Sequence, residues 1–190
     1  MKTSRNHKRL NRLVRGILIC FLILSFTPVI AQGYVQDPKG SRIEFEIRNM
    51  GLTVKGEFTD FNIETNLMPQ DLENSYLKAS ISVGSIDTGI RKRNKSLGEE
   101  KYFNIEEFPE IQFQSESFHL DADGNINMKG RMKIKSIGLV MTIPMEIEEE
   151  GEGLRIVSEF EVNRRDFGVG GKSWLMADRV EVKVTYTGKR

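Results

Sequence analysis

Arg42-Ile43-Glu44-Phe45-Glu46-Ile47-Arg48 places an apolar side chain at every second position and a charged one between. Successive side chains of a strand point to opposite faces, so this stretch is a β-strand with one apolar and one solvated face. Val54, Gly56 and Phe58 continue the alternation downstream, whereas Phe61, Ile63, Thr65 and Leu67 fall on the other parity. A slip of one residue near Thr59 and Asp60 predicts a bulge or sharp bend, the device by which a sheet turns a corner.

The alternation recurs through the rest of the chain. Leu77, Ala79, Ile81 and Val83 share one face, as do Ile111, Phe113 and Ser115. Asp121 to Gly124 reads as a hairpin turn leading to Ile126, Met128, Gly130, Met132 and Ile134. Met141 to Ile147, the turn at Gly151 and Gly153, Leu154 to Val162, and Val180 to Tyr186 follow in the same manner. About eight to ten antiparallel strands result, joined by short turns except between Thr88 and Pro109, where Ile90 to Gly98 reads as a short helix. An all-β chain of this kind hides its apolar face either by closing into a barrel or by stacking two sheets.

Ahead of the strands, Lys2, Arg5, Lys8, Arg9, Arg12 and Arg15 precede an apolar run from Ile17 to Phe26. That order is a secretory signal. The run is about half the roughly 20 residues needed to span a bilayer, and Val29 to Ala31 offer small residues for cleavage before Gln32. Residues 1–31 are therefore expected to be removed, leaving one domain over 32–190 with no stable membrane span and a periplasmic or secreted location. Cys20, the one cysteine, leaves with the signal. The whole chain carries 28 basic and 27 acidic residues; residues 1–31 hold six of the basic and none of the acidic, so the remainder has a net charge of −5. A domain of that sign, with no basic cluster interleaved with aromatics, has no electrostatic reason to bind nucleic acid.

Groups able to move protons, attack or hold a metal are scarce. His119 is the one histidine left after the signal, and parity sets it opposite Phe118 and Leu120, toward solvent. With one histidine and no cysteine, neither a typical zinc site nor a Cys/His pair can be assembled. Glu146 and Glu148 to Glu150 end at a turn and read as a solvated edge. Gly168, Gly170 and Gly171 are not followed by an amphipathic helix and read as a loop rather than a phosphate cradle. No catalytic residue, metal ligand or cofactor is assigned. On the inward face, Gly56, Ala79, Ser115, Gly130 and Ser158 are small. They either leave room for a ligand or let large neighbours interdigitate and mark bends, and pattern alone leaves both open.

Ser85 to Phe113, S-I-D-T-G-I-R-K-R-N-K-S-L-G-E-E-K-Y-F-N-I-E-E-F-P-E-I-Q-F, resembles the signature of the YceI-like polyisoprenoid-binding proteins. In that family a Ser-Ile-Asp-Thr-Gly strand end leads to a helix with Arg-Asp-x-His-Leu and on to a Pro-x-Ile-x-Phe strand. Gly56 to Phe61 resembles its Gly-x-Phe-x-x-Phe motif, and Arg164, Asp166, Phe167, Gly168 and Gly170 its late Arg-x-Asp-Phe-Gly-x-Gly motif. The resemblance implies a lipocalin-like barrel of about eight strands with one or two short helices, exported, whose lumen holds a long isoprenoid or lipid chain. Asn94 and Ser96 stand where the family has Asp and His, so no head-group preference is carried over.

The expectation is thus a non-enzymatic, exported lipid-binding protein for storage or transport. Ile43, Phe45, Ile47, Val54, Phe58 and Phe61 are candidate lining residues from the first strands. Leu77, Ile81, Ile111 and Phe113 join them from the middle, and Met132, Ile134, Phe160, Val162 and Phe167 from the later part. Arg93, Arg164 and Asp166 are motif matches with a polar or structural role. A homodimer is compatible with the sequence. The rivals are an envelope interaction module with a packed β-sandwich and a lipid-modifying hydrolase.

Overall fold

The structure, a computed structural model, describes residues 33–190. The expected signal over 1–31 and its cleavage point lie outside the described residues. From Gly33 onward the chain is nearly all strand: β1 Val35–Gln36, β2 Arg42–Asn49, β3 Leu52–Phe58, β4 Phe61–Thr65, β5 Leu77–Ser82, β6 Ile86–Asp87, β7 Glu110–Leu120, β8 Ile126–Ile134, β9 Ile137–Glu150, β10 Gly153–Asn163 and β11 Met176–Lys189. One α-helix, α1 Arg91–Leu97, stands among the described residues, within the span read as a helix.

All pairing is antiparallel, in the order β4-β5-β7-β8-β9-β10-β11-β2-β3-β6, with β1 also on β11. β3 and β4 are adjacent in the chain yet lie near opposite ends of that order, because β3 pairs with β2 and β4 with β5. The break between them is Thr59–Asp60, where the phase slip predicted a bend, and there the sheet turns round on itself. Ser82 N–H donates to Asp60 O (3.0 Å) across this corner. The bridge Tyr34↔Thr65 draws β4 toward β1 on the opposite side. Taking β3 and β4 as one bent strand and leaving aside the two-residue β1 and β6, the barrel has eight strands.

Two hairpin turns show how neighbouring strands are joined. Asp121 Oδ1 accepts from the N–H groups of Asp123 (2.9 Å) and Asn125 (2.8 Å), closing the β7–β8 turn. Met50 (φ 54°) and Gly51 (φ 78°) form the two-residue loop between β2 and β3, the double positive-φ geometry that matches strand twist.

Two small inward residues have a different reason from spare room. A Cβ on Gly56 would overlap the Phe45 ring, and one on Gly130 the Phe113 ring. Both glycines are sockets for an aromatic from the neighbouring strand, so the wall is filled at those points. Ser115 sits at the bulge where pairing of β7 with β8 slips, and its hydroxyl accepts from Leu77 N–H (2.9 Å). Of the five, Ala79 and Ser158 border the space inside the barrel.

Candidate functional site

The barrel is hollow. A cavity of about 220 Å³ runs through it, more than ten times the roughly 10–15 Å³ that admits a single water. Alternation produces it: Phe45, Ile47, Phe160, Val182 and Val184 point inward on β2, β10 and β11 but are only half-buried, because the space opposite them is not filled. The floor is different. Tyr186 is 1% exposed, with Leu67, Leu154 and Thr65 fully buried around that end. Tyr186 Oη donates to Tyr34 O (3.4 Å), and burial pushes its pKa up to about 12, with Tyr34 and Tyr76 adding to the rise.

The other end is the mouth, where polar groups join the lining: Asn49, Thr88, Arg93 and Arg164, with Leu97, Tyr102 and Phe103 closing over the top. Arg93 Nε donates to Thr88 Oγ1 (2.8 Å) and its Nη2 to Thr88 O. Asn94 Oδ1 accepts from Thr88 N–H (3.0 Å) and its Nδ2 donates to Asp87 Oδ1 (3.0 Å). The Asp87 carboxyl is held below the usual carboxylate range by the Gly89 N–H and Asn94 bonds. Asn94 thus links a strand end to the helix start, a role that needs both an acceptor and a donor.

Arg164, 5% exposed, spends its donors on structure. Nε bonds Ala177 O (2.8 Å), Nη1 bonds Val169 O (2.8 Å) and Gly171 O (3.2 Å), and Nη2 pairs with Asp178 Oδ1 (2.8 Å). The loop after β10 and the start of β11 are tied together by this one guanidinium.

All the apolar residues singled out from the sequence border the cavity except Phe61 and Phe167. Phe61 opens β4 opposite Ile81 at the corner and is half-buried against the core. Phe167 is buried in the turn that follows β10, where the strand has ended and parity no longer assigns a face. For the same reason Asp166 turns outward and is exposed; the carboxylate that meets Arg164 is Asp178. Inward residues the motif reading passed over include Ile143, Ile156, Val182 and Tyr186, which the alternation itself marks, and Leu97, Tyr102 and Phe103, whose apolar cluster inside a polar connection was the available signal. His119 is exposed on β7, and among the described residues no group of three or more His, Cys, Asp or Glu side chains is placed to hold a metal.

Residues 34–187 match the YceI-like domain family. A UPF0312 protein of Shewanella denitrificans is 26% identical over 166 residues, covering 83% of this chain and 86% of that one. The crystal structure of Burkholderia cenocepacia BcnA superposes with a TM-score of 0.76 at 22% identity, covering 80% of this chain and 99% of that one. A polyisoprenoid binding domain from Saccharophagus degradans, implicated in plant cell wall breakdown, has the same fold with a TM-score of 0.66 at 10% identity, covering 82% and 97%.

Proposed function

The chain belongs to the family of YceI-like domains, and on that premise we propose that it is a lipid-binding protein outside the cytoplasm, which stores or carries a polyisoprenoid or similar long apolar chain in the barrel lumen. The observation that carries the reading is the cavity itself, long, apolar and unfilled, with polar groups confined almost wholly to one end. An apolar chain that buried roughly 400 Å² there would gain on the order of 10 kcal/mol before association costs, with few polar contacts required. Val182 and Phe160 pack on the core along the wall but stay half-buried on the lumen side, so the fold forgoes part of the dispersion energy a filled interior would supply. An occupant restores it. The name of the Saccharophagus domain supports the ligand class, and the scarcity of proton-moving or nucleophilic groups in the lining supports binding without catalysis.

The test is native mass spectrometry of the protein isolated from its host, beside the variant Ser158→Phe. Ser158 faces the lumen and is buried. The expected result is a reproducible apolar adduct on the native protein that is lost from a folded Ser158→Phe protein. An adduct-free spectrum across several preparations, or one that persists with the lumen filled, overturns the reading.

A further inference from the structure

Several large apolar side chains stand in water at the mouth. Trp174, the one tryptophan of the chain, is 97% exposed, and Leu175, Met50 and Leu52 are also exposed. They form one rim. Met50 N–H donates to Leu175 O (2.6 Å), and Asn49 and Met176, which line the cavity, are paired between the two tips. Nor is the exposure that of a loose loop. Ser173 Oγ accepts from the N–H groups of Leu175 (3.2 Å) and Met176 (3.1 Å), so Trp174 projects from a built turn.

Met50 sharpens the point. Its φ of 54° is a position where Asn or Gly is favoured and a large apolar residue is strained, and its side chain is exposed. Neither local conformation nor packing explains a methionine there; an apolar partner outside the protein does.

Charge on the helix at the mouth points to that partner. Along the barrel wall, Lys55, Arg131, Arg155, Arg179 and Lys183 each pair with a glutamate, and Arg42, Lys78, Lys129 and Lys133 stand singly among them. Arg48 beside the β2–β3 tip, Arg91, Lys92 and Lys95 on α1, and Lys172 ahead of Trp174 are all exposed, and among the described residues none has an acidic partner. α1 itself carries no acidic residue; the exposed Glu99, Glu100, Glu106 and Glu107 of the mouth follow in the connection after it, and the Glu146–Glu152 stretch lies at the floor end. An apolar rim carrying an indole, flanked by unpaired cations, is complementary to the interface of an anionic bilayer.

We infer that the mouth rim of Met50, Leu52, Trp174 and Leu175 docks on an anionic lipid bilayer, with α1 and Lys172 against the head groups, so that a chain passes between membrane and lumen without crossing water. This rests on the lipid-binding reading of the lumen.

Trp174 is its own reporter. The protein as recovered from cells is titrated with vesicles of phosphatidylethanolamine and phosphatidylglycerol, and with phosphatidylcholine alone. The expected result is a blue shift of its emission, with quenching by brominated acyl chains, on the anionic vesicles only, reversed by high salt. Met50→Asn should weaken binding about tenfold or more while leaving the unfolding midpoint unchanged or raised. Arg91→Gln with Lys92→Gln should weaken it about 30-fold. Emission that stays unchanged on every vesicle overturns the inference, even if the protein sediments with them through another segment. A blue shift that grows with protein concentration in the absence of vesicles overturns it as well, because a second copy then covers the rim. Native mass spectrometry of the same preparation separates the two ideas: an occupied lumen with a silent Trp174 removes docking alone, and an empty lumen with a vesicle-induced shift removes the carrier reading alone.

Discussion

At the floor of the lumen, Tyr186, Leu154 and Leu67 are almost wholly buried and sit on or beside strands whose backbone groups are paired in the ladder. At the mouth, the backbone from Gly98 to Pro109 and from Arg164 to Leu175 has no ladder to join; short-range turn bonds such as Phe103 N–H to Leu97 O (3.1 Å) and Val169 N–H to Arg164 O (2.9 Å) hold it, and long side chains tie the turns together. Arg164 answers Val169, Gly171 and Ala177; Lys135 Nζ reaches Glu100 O (3.3 Å) and Gly168 O (3.4 Å). One end is closed by packing and the other is held by polar bonds at its margins. Packing resists opening everywhere at once, whereas a margin held by discrete bonds can give way locally. An exit for a lipid is better built the second way.

The largest effect that would break this contrast falls on Arg164. Arg164→Met leaves the buried Val169 carbonyl and the half-buried Ala177 carbonyl without a donor and the Asp178 carboxylate without its shorter ion pair, which costs about 3 kcal/mol. Arg164→Lys should recover little of it, because an ammonium cannot reach carbonyls on both sides as the planar fork does. Denaturant unfolding gives the magnitude. Hydrogen exchange gives the location: protection should fall first in 165–178 and last in β10 and β11 near Tyr186. Equal loss at both ends would mean that the mouth is not a separate unit.

The floor is probed by Tyr186→Phe. Its hydroxyl makes one long bond, so the loss at neutral pH should be no more than about 1 kcal/mol. The informative part is the alkaline limb. The folded protein holds the tyrosyl proton up to about 12, whereas an unfolded chain releases it near 10.0. This contribution is therefore whole below pH 10 and is lost as pH rises through 12. Unfolding midpoints measured across that window should decline in the native protein and decline less in Tyr186→Phe. Identical alkaline limbs would show that the floor is open to water.

The walls and floor were legible in the sequence because a strand repeats every two residues and a buried face cannot carry charge. The corner at Thr59–Asp60 was legible for the same reason, as a break in that repeat. At the ends of the ladder the rule weakens, and the two expected lining residues that do not border the cavity lie there: Phe61 at the corner and Phe167 in the turn after β10. Parity also names a face without saying what fills it, so the pattern left Gly56 and Gly130 open between spare room and sockets, and the Phe45 and Phe113 rings decide for sockets. The partner of Arg164 is Asp178, fourteen residues on, and no local spacing announces a bond between a turn and the start of another strand. Trp174 was invisible for a simpler reason: an apolar residue in a polar loop is read as a core residue or passed over, and its meaning comes only from its neighbours at the mouth.

The smallest effect is expected at the helix start, where Asn94 bridges Thr88 and Asp87. Asn94→Asp keeps the acceptor for Thr88 but sets a carboxylate where the amide now donates to Asp87 Oδ1. Asp87 is fully exposed, so water screens the repulsion and the global midpoint should barely move at neutral pH. The helix start, however, should loosen, visible as faster amide exchange over Asn94–Leu97. The sign then reverses with acid. In the native protein the lowered pKa of Asp87 means that its contribution is present above the unfolded value of 3.8 and is lost as pH falls through the lower folded one. In the variant, one of the two carboxyls takes up a proton first and can donate to the other, so exchange should slow on acidification over a range where the native helix start is beginning to loosen. If both proteins respond to pH alike, the mouth network is not held by the Asn94 amide, and the polar margin rests on Arg93 and Arg164 alone.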